Sequence, residues 1–82
     1  MYDVELTETA EKQLKKLDKQ PQERIIALLE RIRINPNPHI KRLVGQQLYR
    51  LRAGDYRVIL KIDHGKLIIL VVEIGRRENI YD

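Results

Sequence analysis

The stretch "LYRLRAGDYRVIL", residues 48–60, holds two alternating runs joined at a glycine. In the first run Tyr49, Leu51 and Ala53 share one face while Arg50 and Arg52 share the other. In the second, Tyr56, Val58 and Leu60 share a face and Arg57 stands opposite them. Such period-two alternation marks strands with one buried face, and Gly54 suits a tight two-residue turn between them. Cross-strand partners in such a hairpin face the same way, so the apolar sets coincide and the three arginines emerge together. Arg57 is then paired directly with Arg50 or Arg52. Like charges placed opposite each other destabilise a sheet by some tenths of a kcal/mol up to about 1 kcal/mol. The face is therefore either a solvated surface with arginine stems lying on apolar neighbours, or a phosphate site that uses the paired donors of guanidinium groups.

C-terminal to this hairpin, "KLIILVVEI" (66–74) follows "DHGK" (63–66), where His64 and Gly65 make a two-residue loop. Residues 67–72 are apolar on both faces, which predicts the central strand. On the N-terminal side, "HIKRLVGQQ" (39–47) carries the basic pair Lys41 and Arg42 and reads as a loop leading into the sheet. Before it, "NPNP" (35–38) stops a helix whose apolar stripe is Ile25, Leu28, Leu29 and Ile32, with Pro21 in its first turn. A shorter helix precedes that one, capped by Thr7, with Glu8 and Glu11 near its positive end and Ala10, Leu14 and Leu17 along one side. The short link between the two helices predicts an antiparallel hairpin. Finally, "YDVEL" (2–6) alternates as a strand that joins the sheet edge or lies beside the central strand. The expected fold is α+β: an N-terminal strand, a two-helix antiparallel hairpin, then a three-stranded antiparallel meander, all in one sheet with the helices on one face.

Composition bounds the function. Eighty-two residues, 43% hydrophobic and 34% charged, suit a single domain over 1–82. The chain has no cysteine and two histidines, His39 and His64, so a disulfide framework, a thiolate zinc site and a histidine metal cluster are not expected, nor is any cofactor. No basic-apolar leader and no apolar run of about 20 residues is present, which points to the cytoplasm and away from a membrane. A net charge of +4 and a pI near 9.6 favour a polyanionic partner if the positive charges cluster. The terminal "GRRENIYD" (75–82) adds Arg76, Arg77 and Tyr81 just beyond the last strand, where a short turn would bring them to the rim of the arginine face.

At these residues the chain resembles the RelE/ParE toxin superfamily, and specifically its RelE-like ribosome-dependent messenger RNA interferases. The resemblance runs over nearly the whole chain and is most specific in "YRLRAGDYRV" (49–58) and "GRRENIY" (75–81). It implies that Arg57 is the central phosphate-binding arginine, that Arg77 stabilises the cleavage transition state, and that Tyr81 orients or deprotonates the attacking 2′-hydroxyl. Arg50 stands where some members carry a catalytic lysine, and Arg52 where a further basic residue contacts RNA; Arg76, Lys41 and Arg42 are expected to extend that contact. A second lysine of well-studied members falls at Leu48, so one basic group is missing. The implied reaction is metal-independent: in-line attack of a ribose 2′-hydroxyl leaves a 2′,3′-cyclic phosphate and a free 5′-hydroxyl. The implied partners are the ribosome, its message and a RelB-like antitoxin in a heterotetramer. A ParE-like DNA gyrase inhibitor of the same fold and a non-catalytic RNA-binding relative are the alternatives.

Overall fold

The computed structural model describes residues 1–43 and 48–76. Strand β1 (Asp3–Leu6) runs directly into helix α1 (Glu8–Lys16) through Thr7. Thr7 accepts a hydrogen bond from the Ala10 N–H at 3.1 Å, while Glu8 and Glu11 sit in the first turn, beside the positive end of the helix. Leu17 and Asp18 link α1 to α2 (Lys19–Ile34), and Pro21 lies in the first turn of α2, where a missing N–H costs little. The Gln22 side-chain amide donates to the Leu14 carbonyl at 2.9 Å and ties the two helices together.

After Asn35 ends α2, a single 3-10 turn at Asn37–His39 leads to β2 (Ile40–Arg42), β3 (Tyr49–Ala53), β4 (Tyr56–Asp63) and β5 (Ile68–Arg76). The five strands form one sheet in the order β1-β5-β4-β3-β2. β1 runs parallel to β5, and the other neighbours are antiparallel. Of its two expected placements the first strand takes the sheet edge, where it pairs with β5.

The sheet departs from the sequence reading in four places. Residues 40–42, expected as loop, form an edge strand, because Ile40 packs beneath the sheet opposite Leu51 while Lys41 and Arg42 project from it. The central strand is β4 rather than β5, since β2 lengthens the sheet on one side. The β4–β5 loop spans four residues, 64–67, not two: Asp63 opposes Ile68, and the Asp63 carboxylate accepts from the Lys66 N–H at 2.9 Å. Leu67, at φ 57°, closes that loop in a left-handed conformation. Last, Ile59 opposes Glu73 while Leu60 opposes Val71, so Val72 is an extra residue bulged out of β5.

Both helices pack on one face of the sheet. Ala10 from α1, and Ile25, Leu29 and Ile32 from α2, meet Leu51, Ala53, Val58, Leu60, Ile69, Val71 and Ile74 in one buried cluster. Each large apolar side chain buried there stabilises the fold by about 1.5–3 kcal/mol. Where β1 stops, α1 continues the bonding along β5. The Thr7 N–H donates to the Val71 carbonyl at 3.0 Å, the Thr7 hydroxyl donates to the Val72 carbonyl at 2.9 Å, and the Gln13 carboxamide oxygen accepts from the Ile74 N–H at 2.7 Å.

Candidate functional site

The face of the sheet without helices carries the expected arginines in two rows. Gly54 and Asp55 form the β3–β4 turn, with Gly54 at φ 62°, and this two-residue length sets the register. Arg52 opposes Arg57, and Arg57 opposes Gly75, making one row across β3, β4 and β5. The next row runs Lys41, Arg50, Ile59 and Glu73 across β2 to β5. Neighbouring strands lie about 4.8 Å apart, so each row sets its basic side chains close together.

The four cations differ in exposure. Lys41 and Arg52 are exposed, Arg50 is half-buried, and Arg57 is 3% exposed, buried to the level of the apolar core. On its β5 side Arg57 meets a glycine, so no side chain at position 75 occupies the space beside its stem. Guanidinium groups stay charged across the physiological pH range and present paired, fixed donors to phosphate oxygens. Around a buried group the effective dielectric falls, so a guanidinium at Arg57 acts on an anion more strongly than one in water.

An apolar patch adjoins the second row. Leu43 and Ile59 are buried together, with Leu48 and Val72 packed against them. Leu48, which stands where a lysine is expected, is thus one wall of a hydrophobic contact. The bulge at Val72 contributes another wall. The sequence reading missed this patch because its members come from four separate segments.

The structure brings Lys41, Arg50, Arg52 and Arg57 to one face and does not bring Arg42 or Arg76 there. Arg42 pairs with Tyr49, and Arg76 pairs with Tyr56, both on the helix-covered side. The Arg76 guanidinium stands over the Tyr56 ring, 5.7 Å from its centroid. Arg77 and Tyr81 lie outside the described residues. Among the described residues, no group of three or more His, Cys, Asp and Glu side chains is placed to hold a metal ion, and no helix is long and apolar enough to cross a membrane.

Known proteins resemble this chain over nearly its full length. Residues 4–81 match a family described as the ParE toxin of the type II toxin–antitoxin system parDE. A toxin named RelE1 from Methanocaldococcus jannaschii is 34% identical over 85 residues, spanning 98% of this chain and 94% of the relative. A RelE-like toxin protein of Escherichia coli is 35% identical over 80 residues, spanning 94% and 84% of the two chains. Among solved structures, the RelE–RelB complex of Pyrococcus horikoshii contains a chain that superposes with a TM-score of 0.84 at 27% identity, covering 96% of this chain and 98% of that one. The chain belongs to the RelE/ParE superfamily of toxins of type II toxin–antitoxin systems.

Proposed function

We propose that this toxin is a ribosome-dependent endoribonuclease that cuts messenger RNA in the ribosomal A site and so stops translation. The observation that carries the reading is the Arg52–Arg57 pair, two like charges held in register on the sheet face opposite the helices, beside Arg50 and Lys41. A bound phosphate relieves their repulsion, and a polynucleotide supplies phosphates in series. Arg57 binds the scissile phosphate, and Arg77 stabilises the charge that builds on it as the 2′-hydroxyl attacks in line. Tyr81 orients that hydroxyl and takes its proton. Arg50 contributes charge rather than base catalysis, since a guanidinium does not give up its proton. Arg52 and Lys41 hold the flanking strand. The ribosome supplies the rest by bending the message, which compensates for Leu48 standing where a lysine is expected.

The partner that holds the toxin in check is a RelB-like antitoxin, in keeping with the RelE–RelB complex of Pyrococcus horikoshii. It binds as an acidic or amphipathic segment across the helical hairpin and the basic face, in a heterotetramer of two toxins and two antitoxins. Action on the ribosome places the toxin in the cytoplasm.

The match to the ParE toxin family favours a second reading, inhibition of DNA gyrase without cleavage. One assay separates the two. A defined message is translated with the purified toxin and its new 5′ ends are mapped, with gyrase supercoiling measured in parallel. Cuts in the A-site codon, lost in Arg57→Ala, Arg77→Ala and Tyr81→Phe, support the nuclease. An intact message with blocked supercoiling supports the gyrase inhibitor, and an intact message with normal supercoiling leaves a non-catalytic relative.

A further inference from the structure

Helix α2 divides charge between two grooves. Along its side toward β1, the groove is lined by Asp3, Glu5 and Glu30, with Arg33 bonded to Glu30 at 2.8 Å. Along the opposite side, toward the β3–β4 turn, two adjoining cavities are lined by Arg24, Arg31, Arg52 and Arg76, with Asp55 the one acid among the described residues that line them. Gln20, Arg24, Ala27 and Arg31 are spaced four, three and four residues apart, which puts them in one stripe along α2. Arg24 and Arg31, seven residues apart, are separated by about 10.5 Å along the axis at 1.5 Å per residue.

Two features fix these arginines in place. The Arg24 guanidinium lies over the backbone of Gly54; a Cβ at that position would stand 2.6 Å from Arg24 Nη1. Arg76 is held against the Tyr56 ring on the same side. Arg52, at the rim, belongs both to this groove and to the row that contains Arg57. The groove is therefore continuous with the proposed substrate face around the edge of the hairpin.

From this geometry we propose that the α2 groove is a second RNA-binding surface, which grips the phosphate backbone of a double-helical RNA segment while the open sheet face holds the single strand to be cut. The inference rests on the RNA reading of the toxin. An axial run of about 10.5 Å keeps the two guanidinium groups well apart, so Arg24 and Arg31 reach separate phosphates of one backbone. Arginine forks match phosphate oxygens in pairs. The lining offers the small side chains of Ala27, Ala53 and Pro21, and its aromatic ring, Tyr56, is taken up by Arg76 rather than left as a pocket for a protein partner. The groove also accounts for Arg76, a basic residue that the fold keeps off the open face.

The test uses the whole toxin with two fluorescent probes, an RNA stem–loop and a single-stranded RNA carrying 2′-deoxyribose so that it is not cut. Binding is measured between 50 and 200 mM salt, with thermal unfolding as the check on fold. Arg24→Gln/Arg31→Gln is expected to weaken stem–loop binding at least tenfold and to lower its salt slope by about 2, one for each lost phosphate contact. The same variant is expected to change single-strand binding less than twofold, whereas Arg50→Gln does the reverse. Arg31→Glu alone, at an exposed position outside the Gly54 contact, is expected to repeat the stem–loop loss without touching the packing. Equal loss on both probes, or no loss on either, overturns the second surface while leaving the RNA reading intact. Failure of the unaltered toxin to bind either RNA overturns the RNA reading itself, and binding of duplex DNA alone through Arg24 and Arg31 overturns the choice of partner.

Discussion

On the helix-covered face of the sheet the residues that meet are Leu51 with Val58, Val58 with Ile74, and Leu60 with Val71; on the other face they are Arg52 with Arg57 and Lys41 with Arg50. The first set removes apolar surface from water and holds the domain together. The second set places like charges opposite each other, an arrangement that taken alone costs a sheet stability. Strands β3 and β4 therefore carry the fold on one side and the binding chemistry on the other, and substitutions on the two sides are expected to move different observables.

The largest effect comes from breaking the covered face. Leu60→Ala removes a fully buried side chain and is expected to lower stability by about 2–5 kcal/mol, out of a total near 5–15 kcal/mol for a domain. Urea unfolding measures this as a lower midpoint at constant slope. The matching change on the other side, Lys41→Ala at an exposed position, is expected to stay within about 0.5 kcal/mol. Equal losses at the two positions would remove the distinction between the faces.

Gly54→Ala attacks the turn that sets both faces in register. Its φ of 62° makes the substitution cost about 1–2 kcal/mol, and the new methyl also meets Arg24. Adding Arg24→Ala is expected to recover the second part only, which a double-mutant cycle resolves as a coupling between the two sites. Thr7→Ala comes next, at about 1 kcal/mol, because it removes the α1 cap and the hydroxyl donated to Val72. A change of the opposite sign comes last: Arg52→Glu sets unlike charges across from each other and is expected to raise stability by some tenths of a kcal/mol to about 1 kcal/mol while weakening RNA binding.

Much of the comparison is legible in the sequence because residues 48–60 alternate cleanly. The parity of Tyr49, Leu51 and Ala53 against Arg50 and Arg52 defines both faces, and the length of the turn at Gly54 then decides that Arg57 meets Arg52. Parity fails where every residue is apolar. In "IILVV" (68–72) nothing marks Val72 as a bulge, so the reading there does not show which residues share a face. β2 was hidden because three residues, two of them charged and following two prolines, carry no period. That Arg42 and Arg76 both fall on the helix-covered side follows from strand register, which neighbours in sequence do not encode. Arg24 and Arg31 form a visible stripe on α2, but only the packing of α2 beside the β3–β4 turn turns that stripe into a groove.

The central claim is that the Arg52–Arg57 face binds a polyanion, and ligand-dependent stability tests it directly. The melting temperature of the unaltered toxin and of Arg52→Glu is measured with and without an uncleavable single-stranded RNA at about 100 times its Kd for the unaltered toxin. Linkage predicts a gain of about 2.7 kcal/mol for the unaltered toxin, seen as a rise of several degrees, and little or none for Arg52→Glu, which starts out the more stable. Equal gains in the two proteins, or a variant less stable than the unaltered toxin before RNA is added, would contradict the account.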